Sequence, residues 1–94
     1  MILSFGDAAT EDLFHGRSSG RSRRIPADVR RVMLLDMINA ARTLRDLMSP
    51  PGNRLEALRG DLEGRHSIRV NDQWRVVFRW AGTDAEDVAI VDDH

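Results

Sequence analysis

The sequence of 94 residues contains no cysteine, no lysine and no tyrosine. Without cysteine, disulfides and thiolate chemistry are excluded, and this composition is compatible with a cytoplasmic protein. No apolar run reaches the roughly 18 residues that a membrane-spanning helix requires. The opening residues "MILSFGDAAT" show neither a basic leader nor a long apolar stretch, so we expect no signal peptide.

What is present is an ordinary globular composition, with 41% hydrophobic and 31% charged residues. It predicts a single domain over residues 1–94. The net charge of −1 does not by itself favour nucleic acid as a partner. All fourteen cations are arginine, the side chain that binds phosphate through two parallel hydrogen bonds. A GC-rich genome is the alternative explanation for this preference.

The charges are segregated along the chain. The segment "HGRSSGRSRR" carries four arginines and no acid: Arg17, Arg21, Arg23 and Arg24. From residue 84 onwards the chain carries five acids and no arginine: Asp84, Glu86, Asp87, Asp92 and Asp93. The Ser- and Gly-rich composition of the basic segment predicts a loop. The near-neutral total therefore hides two regions of opposite charge.

Helices are predicted in the first half of the chain. Residues 7–16 form a short helix capped by Asp7, and the apolar run 2–5 before it is predicted as an opening strand. Apolar residues recur at helical spacing over residues 25–48. This span is either one helix or two joined near Asn39 to Thr43, with Thr43 as a cap. The following "SPPGN" ends it.

Strands are predicted in the second half, where the apolar period becomes two. They are "RLEAL", "HSIRV", "WRVVFRW" and "VAIVDDH", with "NDQ" and "GTDAED" as turns. Helices followed by a meander of strands indicate an α+β fold, with N-terminal helices packed on a small antiparallel sheet.

The alternation in "WRVVFRW" separates two faces of the sheet. Trp74, Val76, Phe78 and Trp80 share the face that the helices must cover, which leaves Arg75 and Arg79 on the open face. Trp74 and Trp80 are therefore expected in the core, although a tryptophan can also stack on a base. His66 falls on the apolar side of its strand, and we expect it to be packed at the edge of the core.

Six arginines fall on or beside the predicted sheet: Arg54, Arg59, Arg65, Arg69, Arg75 and Arg79. A solvated sheet face is one interpretation, and a surface that holds polyanionic RNA is the other. Cleavage of a phosphodiester without a metal needs cations that neutralise the developing charge and groups that move protons. Arg75, with Arg59 and Arg54 from the neighbouring segment, could supply the cations. The side chains that could carry protons are Glu56, Asp92, Asp93 and His94.

Other chemistries find less support in these residues. His15, His66 and His94 show no metal-ligand spacing, and "RGDLEGR" lacks the glycines and the lysine of a phosphate loop. We expect no metal and no cofactor. A C-terminal histidine is often frayed and silent, but an imidazole titrates near neutral pH, so His94 stays a catalytic candidate.

Two blocks of sequence carry a resemblance to a known family. "PPGNRLEALRGDLEGRHSIRVNDQWRVVFRW", followed by "AIVDDH", resembles the HigB/GraT toxins, also called killer-suppression or plasmid-maintenance proteins, within the RelE/ParE superfamily. The likeness extends from "MILSF" through "DVRRVMLLDMINAARTLRDL" to the C-terminus. It implies a RelE-like (microbial-RNase-like) fold.

The resemblance also implies an activity. Toxins of this kind cleave mRNA on the translating ribosome without a metal, as the substrate's own 2′-OH attacks the adjacent phosphate to give a cyclic phosphate and a 5′-OH end. Each is silenced by a HigA-type antitoxin with a helix-turn-helix domain, and a complex of two toxins with two antitoxins is typical. The partners expected for this chain are therefore an antitoxin, the ribosome and mRNA, and its location the bacterial cytoplasm.

Roles transfer to this chain residue by residue. Arg75 in "QWR" matches the family's strand arginine, which holds the scissile phosphate, and Arg59 in "LRGD" matches a second cation. Glu56 stands where some members have a histidine and others a glutamate. Asp92 and His94 match the ends of the family's terminal "DYH". As RNA-binding residues we expect Arg54, Arg79, Arg17, Arg21, Arg23 and Arg24, the last four as a patch for ribosomal RNA or, alternatively, as a solvated loop.

One departure from the family pattern bears on activity. Asp93 stands where the family has tyrosine, and no other tyrosine is present. An aspartate cannot stack on a base and adds an anion beside RNA phosphate, so we expect weakened cleavage. One alternative is a weak or inactive member that mainly binds its antitoxin. Another is the gyrase-poisoning activity of the ParE branch, although "LRGD…QWR…DH" resembles the RNase branch instead.

Overall fold

The computed structural model describes residues 1–16, 29–48, 53–71 and 73–92. The predicted loop over residues 17–24 and the predicted helix stop at 49–52 lie outside these ranges. Among the helices of these ranges, none has the length and hydropathy that a membrane span requires.

The helical predictions are confirmed in their main features. Helix α1 spans Ala8–Phe14, and the Asp7 carboxylate caps it by accepting a hydrogen bond from the Thr10 backbone N–H at 2.7 Å. Helix α2 spans Val29–Ala40, and a separate 3₁₀ helix follows at Leu44–Met48. Of the two alternatives that the sequence leaves open, the structure therefore has two helices, separated at residues 41–43.

A reciprocal cap starts the 3₁₀ helix. The Thr43 hydroxyl accepts from the Asp46 backbone N–H at 3.3 Å, while the Asp46 carboxylate accepts from the backbone N–H groups of Arg42 and Thr43 at 3.0 and 3.1 Å. These hydrogen bonds lower the pKa of Asp46 below its ordinary value of 3.8, and the bond from the Arg42 backbone N–H has the largest effect. Thr43 is thus the cap that the sequence predicts.

The second half of the chain folds into a four-stranded antiparallel sheet. Its strands, in spatial order, are β1 (Glu56–Ala57), β2 (Arg65–Arg69), β3 (Trp74–Ala81) and β4 (Asp84–Asp92). With the two helices, this sheet confirms the predicted α+β class.

The predicted turn "GTDAED" is too long. Ala81 pairs with Asp84, so the β3–β4 loop has two residues, and Gly82 supplies the positive φ of +67° at its first position. The acids Asp84, Glu86 and Asp87 are typical of a turn. Here, however, they lie on a strand whose alternation is interrupted at Asp87, where the register shifts by one residue.

The predicted opening strand is reduced to two isolated parallel bridges, Ile2 with Ala85 and Phe5 with Val88. Between them the Asp87 backbone N–H bonds to the Ser4 hydroxyl at 2.9 Å instead of to a backbone carbonyl. The irregularity of β4 therefore interrupts the ladder. The N-terminal segment still covers the outer edge of β4.

The core lies between the helices and one face of the sheet. Val76 and Phe78 of β3 are fully buried, and α2 contributes Leu34, Leu35 and Ile38 to the same cluster. Partly buried residues packed against it include Trp74 and Trp80, so the predicted covered face is confirmed. The His66 ring stacks on Phe78 with 6.1 Å between centroids, which confirms its packed position.

Candidate functional site

The register of the strands places arginines together on the sheet face opposite the core. Arg69 pairs with Arg75, Ser67 with Val77, and Arg65 with Arg79, while Glu56 of β1 pairs with Ser67. Since directly paired residues point to the same side of a sheet, these side chains form one surface. By the same rule it includes the β4 partners of Arg75, Val77 and Arg79. We call this surface the arginine face, and its members are Glu56, Arg65, Ser67, Arg69, Arg75, Val77, Arg79, Glu86, Ala89 and Val91.

Arg75 is held on this face by neighbours from two other strands. Its Nη1 lies 3.3 Å from the Glu56 carboxylate and donates to the Ser67 hydroxyl, also at 3.3 Å. Ser67 is fully buried, whereas the side chains of Arg75 and Glu56 are 27% and 53% exposed. An ion pair this open adds at most about 1 kcal/mol to stability, so its main effect is to orient the guanidinium.

The other predicted cations of the site lie apart from this cluster. Arg59 directly precedes the 3₁₀ turn Gly60–Leu62, and Arg54 precedes β1 with a positive φ of 47°. Both side chains are exposed, and neither forms a hydrogen bond or ion pair with another described residue. Glu56 is thus the predicted site residue that the fold brings against Arg75.

Asp92 lies at the end of β4, one position away from the Arg75 row. It pairs with Trp74, and the residue that pairs with Arg75 is Val91. The Asp92 carboxylate accepts a hydrogen bond from the Gln73 side chain at 3.2 Å. Its catalytic role stays a prediction.

Six predicted site residues lie outside the described part of the chain. They are Arg17, Arg21, Arg23, Arg24, Asp93 and His94. Within the described ranges no three His, Asp or Glu side chains are close enough together to hold a metal ion. The predicted absence of a metal site stays a prediction, because the two terminal residues are not among those ranges.

Ser67 contacts Arg75 but is not among the site residues predicted from the sequence. The alternation of "HSIRV" places it on the same side as Arg69, so a signal was present. Its contact with Arg75, however, depends on the pairing of β2 with β3, which no local pattern determines.

Comparison with known proteins supports the resemblance found in the sequence. A sequence model described as the RelE-like toxin of the type II toxin–antitoxin system HigB matches residues 3–94. The chain is 40% identical over 82 residues to Toxin HigB-1 of Vibrio cholerae, covering 85% of this chain and 84% of that protein. It is 36% identical over 67 residues to an uncharacterized protein of Haemophilus influenzae, covering 69% and 66% of the two chains.

A solved structure with the same architecture is the YoeB/ParE toxin from Agrobacterium tumefaciens. The two chains superpose with a TM-score of 0.56 over 99% of this chain and 98% of the other, at 19% sequence identity. At this identity the similarity concerns the fold, which confirms the predicted RelE-like architecture. The match over residues 3–94 and the 40% identity to Toxin HigB-1 show the family. The chain belongs to the HigB-like family of RelE-like toxins in type II toxin–antitoxin systems.

Proposed function

We propose that this toxin is a ribosome-dependent endoribonuclease that cleaves mRNA without a metal, by attack of the 2′-OH on the adjacent phosphate. One observation carries the proposal: Arg75 lies on the open face of the sheet with its Nη1 3.3 Å from both Glu56 and Ser67. A guanidinium held by neighbouring strands is a preorganised donor for charge that develops on phosphate oxygens. A solvated sheet face would not require Arg75 to be oriented.

The reaction assigns a role to each side chain. Glu56 accepts the proton of the 2′-OH as the bond from that oxygen to phosphorus forms. Arg75 stabilises the negative charge on the phosphate oxygens. As the bond from phosphorus to the 5′-oxygen breaks, His94 donates a proton to the leaving oxygen, giving a cyclic phosphate and a 5′-OH end. Arg59 is a supporting cation, and Asp92 orients His94.

Glu56→Gln tests the role of that carboxylate. We expect the maximal cleavage rate to fall by about a hundredfold, because general-base catalysis contributes at least this much. The KM for RNA should stay equal or decrease, since the substitution removes an anion beside the bound phosphate. Single-turnover cleavage measured over a range of RNA concentrations separates the two quantities.

The same variant distinguishes proton transfer by Glu56 from its ion pair with Arg75. Glutamine keeps an oxygen that can accept the hydrogen bond from Arg75, so a carboxylate whose only role is to orient that guanidinium would leave the maximal rate nearly unchanged when replaced. An unchanged rate would therefore remove Glu56 from the proton-transfer step and leave the role of Arg75 as proposed.

A toxin of a type II system has an antitoxin partner. We infer that this partner is a HigA-type protein with a helix-turn-helix domain, and that two toxins assemble with two antitoxins. The substrate is mRNA on the bacterial ribosome, so the site of action is the cytoplasm. Arg54 and the basic segment with Arg17, Arg21, Arg23 and Arg24 remain predicted RNA contacts.

A second candidate function follows from Asp93, which stands where the family has tyrosine. The chain would then be a weak or inactive member that mainly binds its antitoxin. Asp93→Tyr distinguishes the two, and we expect the variant to cleave faster than the wild type, because tyrosine restores stacking and removes an anion. The measurement is cleavage of a defined mRNA on programmed bacterial ribosomes, with mapping of the 5′ ends.

The outcomes of this comparison separate the two functions. Cleavage by both proteins at similar rates would confirm the ribonuclease and contradict the expected effect of Asp93. Cleavage by the variant alone would show that Asp93 attenuates an otherwise competent site. Absence of cleavage in both, with antitoxin binding intact, would favour the binding protein.

A further inference from the structure

The geometry points to a second phosphate site on the arginine face, formed by Arg65 and Arg79, which binds the RNA backbone a few nucleotides from the scissile phosphate. This inference rests on the proposed function, in which Arg75 holds the scissile phosphate.

The first observation is the pairing of like charges. Arg65 of β2 lies directly opposite Arg79 of β3, and Arg69 lies opposite Arg75 four residues further along. In such pairs the Cβ atoms are about 5 Å apart, and like charges directly opposite each other destabilise the sheet. Two such pairs on one face favour an anionic ligand that offsets this repulsion.

The second observation is how weakly the Arg65–Arg79 pair is neutralised in the free chain. The Arg65 Nη2 lies 3.9 Å from the Asp87 carboxylate, and these side chains are 31% and 45% exposed. Arg79 is exposed and lies directly opposite Glu86 of β4, but it forms no hydrogen bond or ion pair with that or any other residue in the described ranges. A phosphate oxygen at ordinary charge-assisted distances, about 2.7–2.9 Å, would bind these guanidinium groups more closely than Asp87 does.

The position of Asp87 follows from the irregularity in β4. Opposite the single residue Phe78, β4 has two residues, Asp87 and Val88, because Val77 pairs with Ala89 while Arg79 pairs with Glu86. Asp87 has a left-handed φ of 53°, which aspartate and asparagine tolerate better than most residues. Val88 remains fully buried. The extra residue therefore brings the Asp87 carboxylate beside Arg65, where it acts as a counter-ion in the absence of RNA.

The third observation is the spacing of the two arginine pairs. The two pairs are four positions apart along each strand, which corresponds to about 13 Å at the usual rise of a strand. The uncharged pair of Ser67 and Val77 lies between them. At a rise of about 3.4 Å per nucleotide this distance spans about four nucleotides, and a more extended strand crosses it in fewer. A dinucleotide, with one phosphate, would therefore reach a single pair.

The test compares two uncleavable RNAs of matching sequence, a dinucleotide and a hexanucleotide that carry a 2′-deoxy sugar at the cleavage position. Binding of the toxin is measured by fluorescence anisotropy at several salt concentrations. For the double variant Arg65→Ala/Arg79→Ala, we expect hexanucleotide affinity to fall about tenfold to a hundredfold. The slope of log affinity against log salt should become less negative by about 0.7, the contribution of one phosphate on a single strand. Dinucleotide affinity should be unchanged.

Two further variants serve as controls. Arg45→Ala removes an exposed arginine from the 3₁₀ helix Leu44–Met48 and should leave both affinities unchanged. Asp87→Asn removes the counter-ion but keeps a residue that tolerates the left-handed φ, and it should tighten hexanucleotide binding a few-fold. Tighter RNA binding by this variant could not result from misfolding, which would weaken binding.

Unchanged hexanucleotide affinity in the double variant would overturn the second site. If the same variant instead lost affinity for the antitoxin, the face would bind an acidic protein segment, and this result would also overturn the inference. The proposed function fails on a different result. In that case Arg75→Ala would bind and cleave RNA as the wild type does.

Discussion

Arg75→Ala is expected to lower RNA cleavage on ribosomes by about a hundredfold or more, because removing one preorganised donor to developing charge costs this much in other enzymes. The guanidinium extends from β3 to Ser67 on the neighbouring strand β2 and to Glu56 on β1, the strand beyond it. In the described part of the chain, no other arginine lies within hydrogen-bond distance of these two groups. The measurement is the initial rate of cleavage of a defined mRNA, mapped at its 5′ ends.

The variant should remain folded. The Glu56–Arg75 pair is partly open to solvent and adds at most about 1 kcal/mol to the free energy of unfolding. Loss of the cation also relieves its repulsion with Arg69 on the paired strand. Far-UV circular dichroism and antitoxin binding are the folding controls.

Arg75→Lys is the matched variant for the shape of the cation. It keeps the charge but loses the planar fork that binds two phosphate oxygens, so we expect intermediate activity. Full activity in Arg75→Ala would contradict the assignment of this residue, whatever the lysine variant does.

Phe78→Ala is expected to lower the free energy of unfolding by about 3–5 kcal/mol, the range for deleting a buried aromatic ring from a core. Phe78 is fully buried on the helix-covered face of β3. Its ring packs against His66 at 6.1 Å and Trp80 at 6.4 Å between centroids. Because small domains are typically stable by about 5–15 kcal/mol, the variant should be marginal. Urea denaturation followed by far-UV circular dichroism measures the change.

Met33→Ala is the control for this prediction. Met33 lies on α2 and is 54% exposed, so its truncation should change stability by no more than about 0.5 kcal/mol. A loss of similar size in both variants would mean that Phe78 is not at the centre of the core. Cleavage by Phe78→Ala should be normalised to the folded fraction, since the residue lies on the face opposite Arg75.

Features set by neighbouring residues were predictable from the sequence. Asp7 and Thr43 were recognised as caps because a capping side chain binds backbone N–H groups two or three residues away. The covered face of β3 also followed from local spacing, whereas the spacing left open whether residues 25–48 form one helix or two. The family was predictable for another reason, since its motifs are contiguous stretches such as "NDQWRVVF".

Features that depend on pairing between distant segments were decided by the tertiary structure. Strand β1 has two residues, too few for a periodic pattern to show which side chain faces the sheet. Glu56 reaches Arg75 because β1 pairs with β2 and β2 pairs with β3 in one particular register. Four residues of a predicted turn lie on β4 because Ala81 pairs with Asp84, and the extra residue Asp87 brings a carboxylate beside Arg65. Alternation along one strand determines the face on which an arginine lies, because successive side chains point to opposite sides. Its partners are determined by hydrogen bonds between strands, and these form only in the folded sheet.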